Sequence, residues 1–136
     1  MKNSKTNACI TFEQGLPGYE NLKYFSLDQP YKEYPFFSLD SLDHKDISFI
    51  IINPFQFNKK YEFNLPAFAK EYLDFQDLSH LAVFTIVNCH NGLNNATINL
   101  KAPIVINSEN KKGIQIVLEG QFNIKEPLQN FLRTEV

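Results

Sequence analysis

Between Ala96 and Asn107 the chain reads ATINLKAPIVIN, and its apolar positions alternate. Ile98, Leu100, Ala102, Ile104 and Ile106 fall on one side of an extended chain, and Thr97, Asn99, Lys101, Pro103 and Val105 on the other. A period of two is the mark of a half-buried strand. Pro103 cannot donate to a ladder, which places it at an edge, at a bulge, or at a break between two strands of one direction. The stretch is predicted to form an exposed sheet edge.

Most of the chain follows the same grammar. CITF (Cys9 to Phe12), LKYFSL (Leu22 to Leu27), YPFFSL (Tyr34 to Leu39), ISFIII (Ile47 to Ile52), LAVFTIV (Leu81 to Val87) and GIQIVLEG (Gly113 to Gly120) are rich in β-branched and aromatic residues and bounded by turn formers. ISFIII and LAVFTIV are nearly continuous apolar runs, predicting central strands covered on both faces. Two segments carry a helical period instead. In NLPAFAKEYLDF, Leu65, Phe68, Ala69, Tyr72 and Leu73 form one stripe, with Asn64 as N-cap and Pro66 in the first turn, a helix of about ten residues. Pro127, Leu128, Phe131 and Leu132 predict a second short helix. The expected fold is mainly β: a small antiparallel barrel-like domain of about seven or eight strands with one or two short helices.

The chain's 136 residues, 43% apolar and 14% aromatic, are enough for one core, so residues 1–136 read as a single domain. A formal charge of −2 and basic pairs only at Lys2/Lys5, Lys59/Lys60 and Lys111/Lys112 exclude the clustered cationic surface that direct nucleic-acid or anionic-membrane binding requires. No apolar run approaches the ~20 residues of a spanning helix, and the start MKNSKTNACI has no apolar signal core, so a cytoplasmic protein is expected. Cys9 and Cys89, with no C-x-x-C spacing, read as reduced, partly buried thiols.

Candidate chemistry is sparse. Gly15 and Gly18 in EQGLPGYE fit a tight turn rather than a phosphate loop. Asp40, Asp43, His44 and Asp46 lack the glycine and bidentate glutamate of a calcium loop and read as a solvated acidic turn. His80 and His90 stand at opposite ends of one predicted strand, and Cys89 and His90 point to opposite faces, so neither pair converges. The residues offer no catalytic, metal or cofactor constellation, and no enzyme or small-molecule substrate is expected.

The motifs taken in order, ITFEQGLPGYENLKYFSL, PFFSLDS, ISFIIINPFQFNKKYEF, VFTIV, ATINLKAPIVIN and GIQIVL, resemble the FliW family of flagellar assembly factors from about Ile10 to Leu128. Pro17 and Tyr19 stand where the family pattern has Leu or Gly and Phe, and Asn53 where Asp is common. The resemblance implies a cytoplasmic, non-enzymatic binding protein with two partners. One is CsrA, a dimeric RNA-binding repressor of flagellin translation; the other is flagellin. While flagellin accumulates it occupies the FliW-like protein and CsrA represses; once flagellin is exported the freed protein captures CsrA.

For such a protein the candidate contacts are of two kinds. Asp40, Asp43, Asp46 and Glu119 would steer a basic partner. Asn53, Pro54, Phe55 and Phe57, with the edge carrying Asn99, Lys101 and Pro103, would line an apolar groove for an amphipathic helix. Phe55 and Phe57 fit core or loop packing better than partner contact, and Asn99 and Pro103 fit a capped break in the ladder as well as they fit a contact. A ligand-binding barrel, or an enzyme built in its mouth, stands as the alternative.

Overall fold

A computed structural model describes residues 9–56 and 60–129, except the side chain of Leu93. Among the described residues nine strands form, against the seven or eight expected: β1 (Cys9–Thr11), β2 (Tyr24–Asp28), β3 (Phe36–Ser41), β4 (Ser48–Ile52), β5 (Leu81–Asn88), β6 (Thr97–Ile98), β7 (Ile104–Asn107), β8 (Lys112–Gln115) and β9 (Glu126–Pro127). They lie in the order β4-β3-β2-β1-β8-β7-β5-β6-β9, and β4 also pairs with β5. That last pairing closes seven strands into a barrel, leaving β6 and β9 as an extension beyond it. All pairings are antiparallel but one: β1 meets β8 in parallel, at Thr11 and Lys112.

The register explains the filling of the barrel. Phe25 faces Ser41, Leu27 faces Leu39, Leu39 faces Phe49, Phe37 faces Ile51, Ile51 faces Ile86 and Phe84 faces Ile104. Because side chains alternate faces, one inward set is carried from strand to strand. Ile10, Phe12, Leu16, Phe25, Leu39, Ile51, Phe84, Ile104 and Ile106 form this core. Edge-to-face ring pairs, Phe12 with Phe25 at 5.5 Å and Phe37 with Phe84 at 5.1 Å, occupy its middle. Gly113 is required at the parallel seam, where a Cβ would come within 2.6 Å of the Phe12 ring. Gly15 has φ +66 and sits against the backbone of Glu20, so EQGLPGYE is a tight turn.

The segment Ala96–Asn107 differs from its prediction. It runs beside β5 as two strands, β6 and β7, with a bulge between. β5 advances three residues, from Val87 to Phe84, while the facing chain advances six, from Ile98 to Ile104. Pro103 sits in that bulge, buried, and its carbonyl accepts from the Ile116 amide at 2.9 Å. The predicted exposed edge is therefore covered: β7 lies between β5 and β8, and all four of its residues are buried. The bulge also splits the apolar stripe, because Ile98 and Leu100 pack at one end of the molecule while Ile104 and Ile106 enter the barrel.

Helix α1 (Ala67–Leu73) is shorter than predicted. Pro66, not Asn64, is its N-cap residue, and Asp74 ends it in the left-handed region with φ 49. Its buried face is Ala69 and Leu73, packed on Val105, Ile114, Ile116 and Leu118 outside the barrel. Fully burying Leu73 contributes about 2 to 3 kcal/mol. The side-chain amides of Asn107 and Asn110 both donate to the Leu73 carbonyl, at 2.9 Å each, and close the helix end. Phe68 leaves the predicted stripe and is 55% exposed. At the C-terminal side, Pro127 belongs to β9, the outermost strand of the sheet, where its missing N–H is harmless. Leu128 and Gln129 are helical, and Phe131 and Leu132 lie outside the described residues. β4 also departs from expectation, since Ile50 is 40% exposed rather than covered.

Candidate partner-binding surface

Residues 53–56 and 60–66 flank a pair of depressions on the outside of the barrel. Asn53 accepts from the Phe55 amide at 2.9 Å and so caps a single 3-10 turn, Pro54–Gln56. Pro54 is buried, Phe55 is partly exposed, and Phe57 lies outside the described residues. Tyr61 then turns inward. Its hydroxyl donates to the Leu100 carbonyl at 2.7 Å, and burial pushes its phenol well above the ordinary range. Phe55 at 5.6 Å, Phe63 at 5.7 Å and Phe122 at 6.0 Å surround its ring. This aromatic cluster ties the stretch to the bulge of Leu100 and to the chain after β8.

Two grooves flank that tie and share Glu62, Phe63 and Leu65. The larger, about 720 Å³, is bounded by these residues with Phe68, Val117, Glu119 and Phe122. The smaller, about 260 Å³, reaches Phe55, Leu78 and Val83. Phe68, Leu78 and Val117 are each more than half exposed. Scattered apolar residues at a surface need no explanation, but a run of them around one concavity marks a contact site. Glu62 and Glu119 are the charged residues lining the larger groove. A separate depression of about 370 Å³, lined by Tyr31, Tyr34, Phe36, Ile50 and Cys89 among others, lies on the β3–β4–β5 wall.

The predicted contacts divide accordingly. Phe55 and Glu119 come to this connected surface. Asn99, Lys101 and Pro103 build the bulge beside it: Asn99 Oδ1 accepts from the amides of Lys101 at 3.0 Å and Ala102 at 3.2 Å. Lys101 Nζ donates to the carbonyls of Leu118 at 2.9 Å and Gly120 at 3.1 Å. Asp40 and Asp43 line neither groove. Asp40 accepts from the hydroxyls of Ser38 and Ser48, and Asp43 from the amides of Lys23 and Tyr24. Asp43 thus closes the entry of β2. Asp46 is exposed in the same turn. Glu62, Phe63, Phe68 and Val117 do not stand out in the sequence; an apolar Val117 on the outward side of the alternation Ile114, Ile116, Leu118 is the signal for one of them.

Other candidate chemistry stays apart. His80 and His90 flank β5, and His80 Nε2 lies 3.7 Å from Glu109. Cys9 is exposed, not partly buried, and Cys89 is half-buried; both are free thiols. Among the described residues no three His, Cys, Asp or Glu side chains are grouped as metal ligands, and no helix is long and apolar enough to cross a membrane.

Comparison with known proteins agrees with this architecture. A family model described as FliW protein matches residues 2–128. The flagellar assembly factor FliW of Caldanaerobacter subterraneus subsp. tengcongensis is 39% identical over 126 residues, covering 91% of this chain and 84% of the relative. That of Caldicellulosiruptor bescii is 41% identical over 123 residues, covering 90% and 78%. A crystal structure of the flagellar assembly factor FliW superposes with a TM-score of 0.83 at 32% identity, covering 94% of this chain and 89% of that one. With the family model spanning nearly the whole chain and relatives of this similarity, the chain belongs to the FliW family.

Proposed function

We propose that this protein is a cytoplasmic flagellar assembly factor, a binding protein rather than an enzyme. In this reading it binds the translational repressor CsrA and relieves its repression of flagellin synthesis. It also binds flagellin in the cytoplasm as a competing partner and chaperone. The observation that carries the reading is the groove of about 720 Å³ that brings Phe63, Phe68 and Val117 together with Glu62 and Glu119, on the outside of a barrel filled by its own side chains. The packed interior disfavours a ligand site in the barrel mouth. Apolar anchors supply affinity and carboxylates steer a basic partner such as an RNA-binding protein. The net charge of −2 has the matching sign.

Calorimetric titration with CsrA of the same organism, repeated after saturation with flagellin, tests the reading. Binding of CsrA that flagellin abolishes is expected. Absence of binding to either protein overturns it.

A further inference from the structure

The chain beyond β8 carries a strand edge that the barrel leaves open. Ile116 and Leu118 donate their amides across to the carbonyls of Pro103 and Lys101, so the extended path of β8 continues to Leu118. Backbone groups alternate sides along an extended chain, and those of Val117 and Glu119 therefore point away from β7. Neither residue has a backbone partner among the described residues, and Val117 is 63% exposed. The segment Glu62 to Leu65 lines the same groove, and it too makes no backbone hydrogen bond among the described residues. Nearer the barrel the same edge of β8 is closed by β1, through Thr11 and Lys111. At that seam the hydroxyl of Tyr72 donates to the Thr11 carbonyl of β1. The open stretch of the edge includes Val117 and Glu119, which line the groove.

We propose that this groove receives an extended, basic segment of a partner protein, which adds as a strand to the edge at Val117 and Glu119. Three observations converge on that occupant. Unpaired backbone groups on two walls call for a partner that brings its own backbone donors and acceptors, which an extended chain does and a helix does not. Phe63, Phe68 and Val117 offer apolar contact to alternate side chains of such a strand. Glu62 and Glu119 line the groove with no basic side chain among its lining residues, so the charge complement is Lys or Arg. The inference concerns the mode of recognition at the groove and does not depend on which protein supplies the segment.

The test uses the full chain and synthetic peptides. A seven-residue peptide alternating lysine and valine is titrated by NMR, and amide exchange is followed at Val117 and Glu119. Two further versions of the peptide carry N-methyl groups, one on the residues whose amides face the protein and one on the alternate residues. The expected result is protection of the Val117 and Glu119 amides by the parent peptide. Binding falls about tenfold or more with one methylation pattern and is kept with the other. Replacing lysine by glutamate in the peptide, or E62Q with E119Q in the protein, weakens binding and flattens its salt dependence. V117P, which removes an unpaired amide at an exposed position, leaves thermal melting unchanged and lowers affinity. Equal binding of both methylated peptides overturns the proposal in favour of a side-chain-only contact such as a helix. Shifts confined to other surfaces, or no binding by the parent peptide, also overturn it. CsrA and flagellin take no part, so this failure is separable from failure of the regulatory reading.

Discussion

Asn99→Ala separates a structural from a partner-binding role at the bulge. In the folded chain Asn99 Oδ1 is the acceptor for two amides, those of Lys101 and Ala102, at the point where Pro103 interrupts the ladder. Ala102 is 8% exposed, so its amide, once orphaned, has little access to water, whereas the half-buried Lys101 amide can be partly resolvated. An unmade buried bond costs about 1 to 3 kcal/mol and a resolvated one about half a kcal/mol, giving a loss of roughly 2 kcal/mol. For a chain of this size that is a fall of roughly 6 to 10 °C in Tm. In urea, with a slope of about 1.5 kcal/mol/M, the midpoint drops by about 1.3 M at unchanged m. Asn99→Asp keeps the acceptor oxygen and should stay within about 0.5 kcal/mol of the parent. An Asn99→Ala protein with the parental midpoint refutes the reasoning and assigns Asn99 to a partner instead.

Three other outcomes follow from the same structure. Burial raises the Tyr61 phenol above its unfolded value of about 10, so its contribution is fully present below that pH and is lost as pH rises toward the folded pKa; Tyr61→Phe should flatten the alkaline limb of a stability profile measured by urea melts. The same variant forfeits the bond to Leu100 and about 1 kcal/mol at neutral pH. Gly15→Ala combines a left-handed backbone with a Cβ 2.6 Å from the Glu20 Cα, and calorimetry should record a loss of about 2 to 4 kcal/mol. The Thr85 hydroxyl is fully buried with no partner among the described residues, so Thr85→Val should be neutral or stabilise by up to about 1 kcal/mol in a denaturant melt.

The strands were legible because their signal is local. Phe25 and Leu39 each sit in a period-two pattern, and the pleat sends them to one face without further information, whereas Ile51 and Phe84 lie in nearly continuous apolar runs whose inward face is set by their register with β3 and β7. Pro103 was legible as a break, yet its environment was not: whether an interrupted strand lies at an edge depends on which strand comes back beside it, and β8 supplies that cover from residues further along. Phe68 looked like part of a helix stripe because its spacing is right. A helix of seven residues packed through Ala69 and Leu73 has too narrow a buried face to include it. The candidate surface was the least legible part. Glu62 and Phe63 on one segment meet Val117 and Glu119 on another through tertiary contacts, the Tyr61 bond to Leu100 and its packing on Phe122 among them. Asp43 shows the converse, since its charge suggested a partner and its carboxylate serves two local amides.

Binding of partners at the groove of Phe63, Phe68, Val117 and Glu119 is tested by calorimetry on a double variant, Val117→Ser with Glu119→Lys. Both side chains are exposed, so urea midpoints should match the parent and isolate binding from folding. Affinity for CsrA or flagellin is expected to fall by about tenfold or more in this variant. Parental affinity for both proteins in a fully folded double variant would contradict it.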